Sequence, residues 1–215
     1  MIETEEVKFY PAFLNLKGKR TVVLGGGRVA ERKALTLLKS GASVKIVSPA
    51  VTSRLEQLAD RGKIIIIKRA FKPGDLKGAF LVIAATSSLD ANIRAAKEAG
   101  ALINVADMPS EGNFIAPSII KRGALTIAIS TEGASPALSK AIRKELEKLY
   151  GAEFAAYLKF VESVRRTAIK KITDVNKREK FLRSLASEKI FTAIRCKGLR
   201  AVTKEITASL ETVIK

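Results

Sequence analysis

The chain contains no histidine and no tryptophan, and Cys196 is its single cysteine. Without histidine there is no imidazole to ligate a metal or shuttle a proton, and one cysteine cannot form a disulfide within the chain. These absences exclude Ser-His and Cys-His nucleophile pairs and zinc sites of the Cys/His type, so no metal site is expected. If the protein is an enzyme, a carboxylate is the best candidate for its base.

Long hydrophobic runs are also missing. The longest clean apolar stretch covers residues 79–85, whereas a helix that crosses a bilayer needs roughly 18 such residues. The chain begins with Glu3, Glu5 and Glu6 ahead of Lys8, which is the reverse of a basic leader before an apolar core. We therefore expect a cytoplasmic protein with no membrane partner.

Positive charge is in excess, since 39 lysines and arginines against 21 aspartates and glutamates give a formal net charge of +18. Such a field attracts polyanions: nucleic acid, an anionic membrane surface, or a small molecule with several carboxylates or phosphates. A lysine-rich surface that simply keeps the protein soluble explains the charge equally well. No helix-turn-helix, zinc-finger or RNP signature is present, so a nucleic-acid partner is not expected.

In the first half of the chain, short β-branched runs alternate with segments of helical periodicity. Strands that alternate with helices indicate a parallel sheet covered on both faces. The sequence therefore predicts an α/β fold with a doubly wound sheet of Rossmann type. The predicted strands are 21–24, 43–47, 64–67, 80–84 and 102–105, and the predicted helices are 29–40, 52–61 and 89–98.

After Asp107 the pattern changes. Strands are predicted at 114–116 and 125–129, and the stretch between them is too short for a crossover helix, so the sheet ends or turns antiparallel. A helix is predicted from Pro136 to about Tyr150. Beyond residue 152, apolar residues recur at spacings of three and four, which predicts a helical C-terminal region.

A glycine-rich turn joins the first predicted strand to the first predicted helix, and residues 25–30 match the dinucleotide-binding pattern G-x-G-x-x-G/A. Gly25 allows the tight turn, Gly27 lets backbone N–H groups approach a pyrophosphate, and Ala30 lets helix and strand pack closely. The helix N-terminus favours negative charge, and Arg28 can add a direct contact. The pattern predicts a dinucleotide site; a glycine-rich turn that binds nothing is the alternative.

The acid that usually holds the ribose hydroxyls is absent, because residues 47–50 read VSPA at the end of the second predicted strand. Ser48 and backbone groups would have to contact the ribose, and the choice between NAD and NADP is weakly determined. Small residues follow the fourth strand, where the crevice should receive the nicotinamide, although a helix cap explains Ser87 or Ser88 equally well. The residues expected to bind the cofactor are Gly25, Gly26, Gly27, Arg28, Val29, Ser48, Pro49, Ala50, Thr86 and Asn104.

Asp107 follows the fifth predicted strand and should lie at the same carboxyl edge as the glycine loop. Its place and type suit a base, although residues 107–110 also read as an ordinary turn. Residues 130–136 form a hydroxyl-rich loop before a helix N-terminus, a good place for a carboxylate or phosphate. Ser130, Thr131 and Ser135 are therefore the expected substrate contacts, although capping alone also explains Ser135.

Six short segments form a series along the chain: 13–16 (FLNL), 25–27 (GGG), 29–33 (VAERK), 104–107 (NVAD), 114–118 (FIAPS) and 133–137 (GASPA). In this order they resemble the landmarks of the precorrin-2 dehydrogenases of siroheme synthesis, which include stand-alone forms and the N-terminal half of fused siroheme synthases. The resemblance covers about residues 8 to 150 and is only loose beyond them.

This resemblance implies that the protein oxidises precorrin-2 to sirohydrochlorin with NAD, and that a carboxylate at Asp107 assists proton removal. It implies an NAD-binding Rossmann domain (1–112), a small α+β dimerisation region (113–150) and a C-terminal helical domain (151–215), in a homodimer. The +18 charge would then steer an anionic tetrapyrrole. Thr131 stands where some relatives have serine.

Two other functions stay open. Some members of the family also insert iron, and nothing in this sequence separates a dehydrogenase from a bifunctional dehydrogenase and ferrochelatase. A non-catalytic NAD-sensing module is the more remote alternative, because some Rossmann domains regulate partners.

Overall fold

A computed structural model describes residues 9–214 of the chain. The N-terminal residues whose charges argued against a leader, Glu3, Glu5, Glu6 and Lys8, lie outside this range. The chain divides into two compact units, the first ending at Ala116 and the second beginning at Pro117. Among the helices between residues 9 and 214, none has the length and apolar character that a bilayer crossing requires. The cytoplasmic location stays a prediction.

The first unit contains a parallel sheet with helices in its connections. Its strands are β1 (Arg20–Leu24), β2 (Ser43–Val47), β3 (Ile64–Ile67), β4 (Leu81–Ala84) and β5 (Leu102–Val105), and its helices are α1 (Arg28–Lys39), α2 (Ser53–Asp60) and α3 (Leu89–Glu98). The five strands lie in the order β3-β2-β1-β4-β5. The strand order therefore reverses beside β1, which opens a crevice at the carboxyl ends of the strands. The predicted Rossmann-type fold is confirmed.

Both faces of this sheet are buried, as the near-continuous apolar strands predict. On one face Val23 and Ile46 pack in a cluster that includes Ala34 of α1. On the other face Val22 packs in a cluster that includes Ala95 of α3. The two clusters anchor the strands, so the loops at their carboxyl ends have rigid supports.

The chain after β5 differs from the expectation, because 114–116 is not a strand. The backbone N–H groups of Asn113 and Phe114 both donate to the Ile103 carbonyl at 3.1 Å. The Asn113 side chain accepts from the Ile103 N–H at 2.7 Å and donates to the Ala101 carbonyl at 3.1 Å. The Asn113 side chain and the turn around it therefore satisfy backbone groups at the outer edge of β5. An apolar pattern alone does not reveal such an arrangement.

The strand in this region lies slightly later in the chain, at β6 (Ser118–Arg122), where the sequence predicted only a connection. It pairs antiparallel with β7 (Leu125–Ile129) in a separate two-stranded sheet. The expected change to antiparallel pairing is thus correct, but the predicted position of the first strand is wrong.

The rest of the second unit is helical, as predicted. Its helices are α4 (Pro136–Leu149), α5 (Glu153–Lys171), α6 (Val175–Ser184), α7 (Glu188–Lys197) and α8 (Leu199–Ile214). Helices α5 to α8 share one hydrophobic cluster that includes Phe154, Tyr157, Val202 and Ile206. Helix α4 has no buried residue.

Candidate functional site

Four loops meet at the carboxyl edge of the parallel sheet, where backbone hydrogen bonds join them. The Gly25 N–H donates to the Val47 carbonyl at 3.0 Å, and the Ala106 N–H donates to the Ala84 carbonyl at 2.8 Å. The glycine loop, the turn after β2, the turn after β4 and the segment that carries Asp107 therefore lie at one edge. The structure brings together the cofactor residues and the candidate base that the sequence assigned there.

The three glycines of the loop have different surroundings. A Cβ on Gly25 would lie 2.2 Å from the Ala85 carbonyl oxygen, and a Cβ on Gly26 would lie 2.0 Å from the Ala50 carbonyl oxygen. Gly25 also has a φ of +104°. A Cβ on Gly27 would meet nothing within 4 Å. The first two glycines are thus needed for the loops to pack, and the third leaves open space of the kind that a pyrophosphate needs.

Helix α1 begins at this open space. Its N-cap residue is Gly27, which has no side chain to cap the helix, whereas Thr52 and Ser88 cap the first turns of α2 and α3. The first N–H groups of α1 therefore have no capping side chain, and such groups bind phosphate readily. Arg28 and Val29 are exposed at the same helix start, so the residues present fit a dinucleotide phosphate.

The turn after β2 uses its own hydroxyl internally. Ser48 is buried, and its hydroxyl donates to the Ala50 carbonyl at 2.6 Å. Pro49 and Ala50 are exposed. A ribose at this position would therefore meet mainly the surface of Pro49 and Ala50.

Thr86, after β4, is held by Asn92 of α3. The Thr86 hydroxyl donates to Asn92 Oδ1 at 2.8 Å, and Asn92 Nδ2 donates to the Thr86 carbonyl at 3.1 Å. Asn92 is buried, and sequence reasoning missed it. The signal available was a polar residue on the helix face that also carries the buried Ala95. The Ser88 hydroxyl accepts from the Ala91 N–H at 3.2 Å, so it acts as the helix cap that the sequence offered as one alternative.

Asn104 is also held within the protein. Its side chain is buried, and Nδ2 donates to the Phe114 carbonyl at 3.1 Å. This bond ties the chain after β5 back to the strand. Asn104 therefore positions the segment that carries Asp107.

Asp107 is exposed and has a φ of +62°, in the left-handed region. Within residues 9–214 it shares this property with one other non-glycine residue, Glu132. A left-handed non-glycine residue costs about 1 kcal/mol, and such strain concentrates at functional sites. The structure thus places Asp107 in a left-handed turn, a conformation that aspartate adopts more readily than most residues, and its role as a base stays a prediction.

A cation that sequence reasoning did not assign lies in the field of this carboxylate. Lys33 of α1 is half-buried. Its pKa is lowered by burial and then by the charge of Arg32, while the charge of Asp107 opposes both effects. The sequence feature that could have identified Lys33 is its position next to Ala34, on the helix face that packs against the sheet. The carboxyl edge therefore carries charges of both signs near the candidate base.

The three expected substrate contacts belong to the second unit, and their hydroxyls shape their own loop. The Ser130 hydroxyl accepts from the Glu132 N–H at 3.1 Å, and the Thr131 hydroxyl donates to the Ser135 carbonyl at 3.0 Å. The Ser135 hydroxyl accepts from the Leu138 N–H at 3.1 Å, which makes it the N-cap of α4. All three hydroxyls are thus engaged by backbone groups of the loop and of the first turn of α4.

Family models match both units of the chain. Residues 12–118 match the model described as "Putative NAD(P)-binding", and residues 122–149 match the model described as "Sirohaem biosynthesis protein central". The first match covers the glycine loop and Asp107, and the second covers α4 with the loop before it.

Curated proteins and a solved structure are also similar to the chain. The siroheme synthase of Nitrosococcus oceani is 38% identical over 192 residues, which cover 86% of this chain and 41% of that protein. Siroheme synthase 1 of Aeromonas salmonicida is 35% identical over 205 residues, which cover 94% of this chain and 44% of that protein. The chain thus spans about two fifths of the length of these relatives. The structure of SirC, precorrin-2 dehydrogenase, matches with a TM-score of 0.78 and 26% identity, over 95% of this chain and 100% of that one.

Proposed function

Because this chain belongs to the siroheme synthase and precorrin-2 dehydrogenase family, we propose that it oxidises precorrin-2 to sirohydrochlorin with NAD. The observation that carries the proposal is the shared carboxyl edge of the sheet. There the open space above Gly27, the N-terminus of α1 without a capping side chain, and the strained Asp107 belong to one unit. A phosphate-binding loop beside a candidate base is what a dehydrogenase requires.

The reaction removes one hydride and one proton from the substrate. When bound, NAD supplies the two-electron acceptor and takes the hydride as NADH. Asp107 accepts the proton from the carbon skeleton, and its exposed carboxylate passes that proton to solvent. Asn104 positions the Asp107 segment by its bond to Phe114, and Asn92 positions Thr86 at the edge that receives the nicotinamide.

The loop from Ser130 to Ser135 is the proposed contact for the carboxylates of the tetrapyrrole. Its backbone is held by the Ser130, Thr131 and Ser135 hydroxyls, so it costs little entropy to order on binding. Thr131 keeps the hydroxyl that serine provides in some relatives.

We also propose a homodimer that forms through residues 113–150. Helix α4 has no buried residue, although Leu138 and Leu149 are apolar and 53% and 46% exposed. Ile119 on β6 is 41% exposed. Exposed apolar side chains on a helix and a hairpin favour a protein interface. Sedimentation equilibrium should give twice the chain mass, and Leu138→Glu should shift the protein towards monomer.

The test of the dehydrogenase is anaerobic incubation of the protein with enzymatically made precorrin-2 and NAD. Equal amounts of sirohydrochlorin and NADH, followed by absorbance, are the expected result. Asp107→Asn should lower kcat by about 100-fold or more and still bind NADH. Binding of NAD without turnover by the wild-type protein would favour the sensing module, and consumption of added ferrous iron would show a ferrochelatase as well.

A further inference from the structure

The end of β2 determines which dinucleotide a Rossmann domain prefers. An acid there binds the ribose hydroxyls of NAD and repels the 2′-phosphate of NADP, whereas a nearby arginine accommodates that phosphate. Residues 47–51 of this chain contain no acid. The choice between NAD and NADP therefore depends on the charged groups that surround this turn.

The turn is fixed against the glycine loop. The Thr52 N–H donates to the Gly26 carbonyl at 3.0 Å, and no side chain larger than hydrogen fits at Gly26 beside the Ala50 carbonyl. Ser48 is buried with its hydroxyl engaged, and Pro49 has no N–H. The turn thus presents a neutral and rigid surface next to the expected pyrophosphate.

The charged groups beside this surface are Glu31 of α1 and Arg54 of α2. Glu31 accepts a hydrogen bond from the Thr52 hydroxyl at 2.6 Å. The Arg54 guanidinium lies 4.0 Å from the other Glu31 oxygen and its side chain is 64% exposed. Thr52 engages one Glu31 oxygen, and the 4.0 Å separation means that the Arg54 guanidinium makes no close ion pair with the other. Arg54 is in contact range of Glu31 and remains open to solvent.

We infer that Arg54 receives the 2′-phosphate of NADP, so that the site accepts NADP as well as NAD. A guanidinium makes charge-assisted and often bidentate bonds to phosphate, which lysine does not match. This inference rests on the proposed dinucleotide site and adds a residue that sets its selectivity.

The test compares NADH and NADPH binding to the full-length protein by nucleotide fluorescence. The two dissociation constants should lie within about tenfold of each other. An NADPH constant more than about 100-fold weaker than that of NADH would overturn the inference and leave the dehydrogenase proposal intact. If neither nucleotide binds, both proposals fail.

Arg54→Glu replaces the proposed phosphate-binding cation with an acid, and it should raise the ratio of the NADPH to the NADH dissociation constant by about tenfold. Arg61→Glu is the matched control, because it makes the same charge change at the C-cap of the same helix. It should leave the ratio unchanged. Equal effects of the two substitutions, or no effect of Arg54→Glu, would overturn the role of Arg54. Circular dichroism checks that both variants are folded.

Discussion

Neighbouring glycines in the loop after β1 differ in their surroundings, and substitution can distinguish a role in packing from the proposed role in ligand binding. Gly27 has a φ of −79°, and a Cβ there would meet open space. Gly27→Ala should change the free energy of unfolding by less than about 0.5 kcal/mol, because nothing needs to move. The same methyl group would occupy the pyrophosphate space, so the NADH dissociation constant should rise by about tenfold or more. Urea denaturation and nucleotide fluorescence measure the two effects.

Gly26→Ala is the control for this prediction. Its Cβ would clash with the Ala50 carbonyl, so the variant should be destabilised by about 1–3 kcal/mol. Unchanged NADH affinity in Gly27→Ala would show that the loop does not hold the nucleotide.

Asp107 combines a strained backbone with a proposed chemical role. Replacement by glycine removes the steric conflict of the left-handed conformation, and we expect the free energy of unfolding to rise by about 0.5 kcal/mol. Turnover of precorrin-2 should be lost at the same time. Asp107→Ala also removes the carboxylate but keeps a Cβ, so it should lose turnover without the gain in stability. Thermal unfolding would contradict this account if the two variants were equally stable.

At the scale of elements, the connection between β3 and β4 contains a hydrogen-bonded ion pair. Arg69 donates to the two Asp75 oxygens at 2.8 and 2.7 Å, and the Lys72 N–H donates to the same carboxylate at 2.9 Å. The Arg69 hydrogen bond is the main cause that lowers the pKa of Asp75, against the opposing effect of burial.

Because the folded-state pKa of Asp75 lies below its unfolded value, its contribution to stability is present above that value and is lost as the pH falls. Urea midpoints measured from about pH 6 to pH 3 should fall for the wild type and fall less steeply for Asp75→Asn. Asp90→Asn removes an exposed pair with Arg94 and should leave the acid slope nearly unchanged. If the urea midpoints of Asp75→Asn and the wild type fell equally steeply with decreasing pH, the Asp75 carboxylate would not contribute to acid sensitivity.

The helical cluster of α5 to α8 contains a tyrosine that links two of its parts. The buried Tyr157 hydroxyl donates to the Leu185 carbonyl, and burial raises the pKa of Tyr157 to about 12. The folded state therefore holds this proton more tightly than the unfolded state. Stability from this group is present below the ordinary pKa of about 10 and is lost as the pH rises from there towards 12.

Tyr157→Phe should lower the free energy of unfolding by about 1 kcal/mol at neutral pH, because the Leu185 carbonyl loses its donor. It should also flatten the loss of stability at alkaline pH. Tyr10→Phe is the control, since Tyr10 is 91% exposed. Guanidinium unfolding at pH 8 and pH 11 measures how much stability each variant and the wild type lose at alkaline pH. If Tyr157→Phe lost as much stability as the wild type and Tyr10→Phe, the assignment would be contradicted.

Element types were predictable where the apolar spacing had one interpretation. Strands β2, β3 and β5 and helix α3 have the predicted bounds, because they are bounded by glycine, polar caps or turns. The stretch from Phe114 to Arg122 misled the prediction, since its apolar residues suit a strand at several positions. Hydrogen bonds of Asn113 to β5 decided the outcome.

At the scale of the whole molecule, the net charge of +18 should act on the approach of substrate. The second-order rate constant kcat/KM for precorrin-2 should fall by about tenfold between low salt and about 0.5 M salt, because screening removes long-range attraction. The rate at saturating substrate, kcat, should change much less and serves as the internal control. A flat salt dependence of kcat/KM would leave solubility as the role of the charge.

By itself the sequence determined the class of fold, because periodicity and glycine spacing are local properties of the chain. It also predicted that Asp107 and the glycine loop follow strand ends at the carboxyl edge of the sheet, which is where the structure places them. Only the tertiary structure decided which hydroxyls are already engaged, as at Ser48 and Thr86, and which charges meet, as at Glu31 and Arg54. Those outcomes depend on contacts between residues far apart in the chain, which no local pattern encodes.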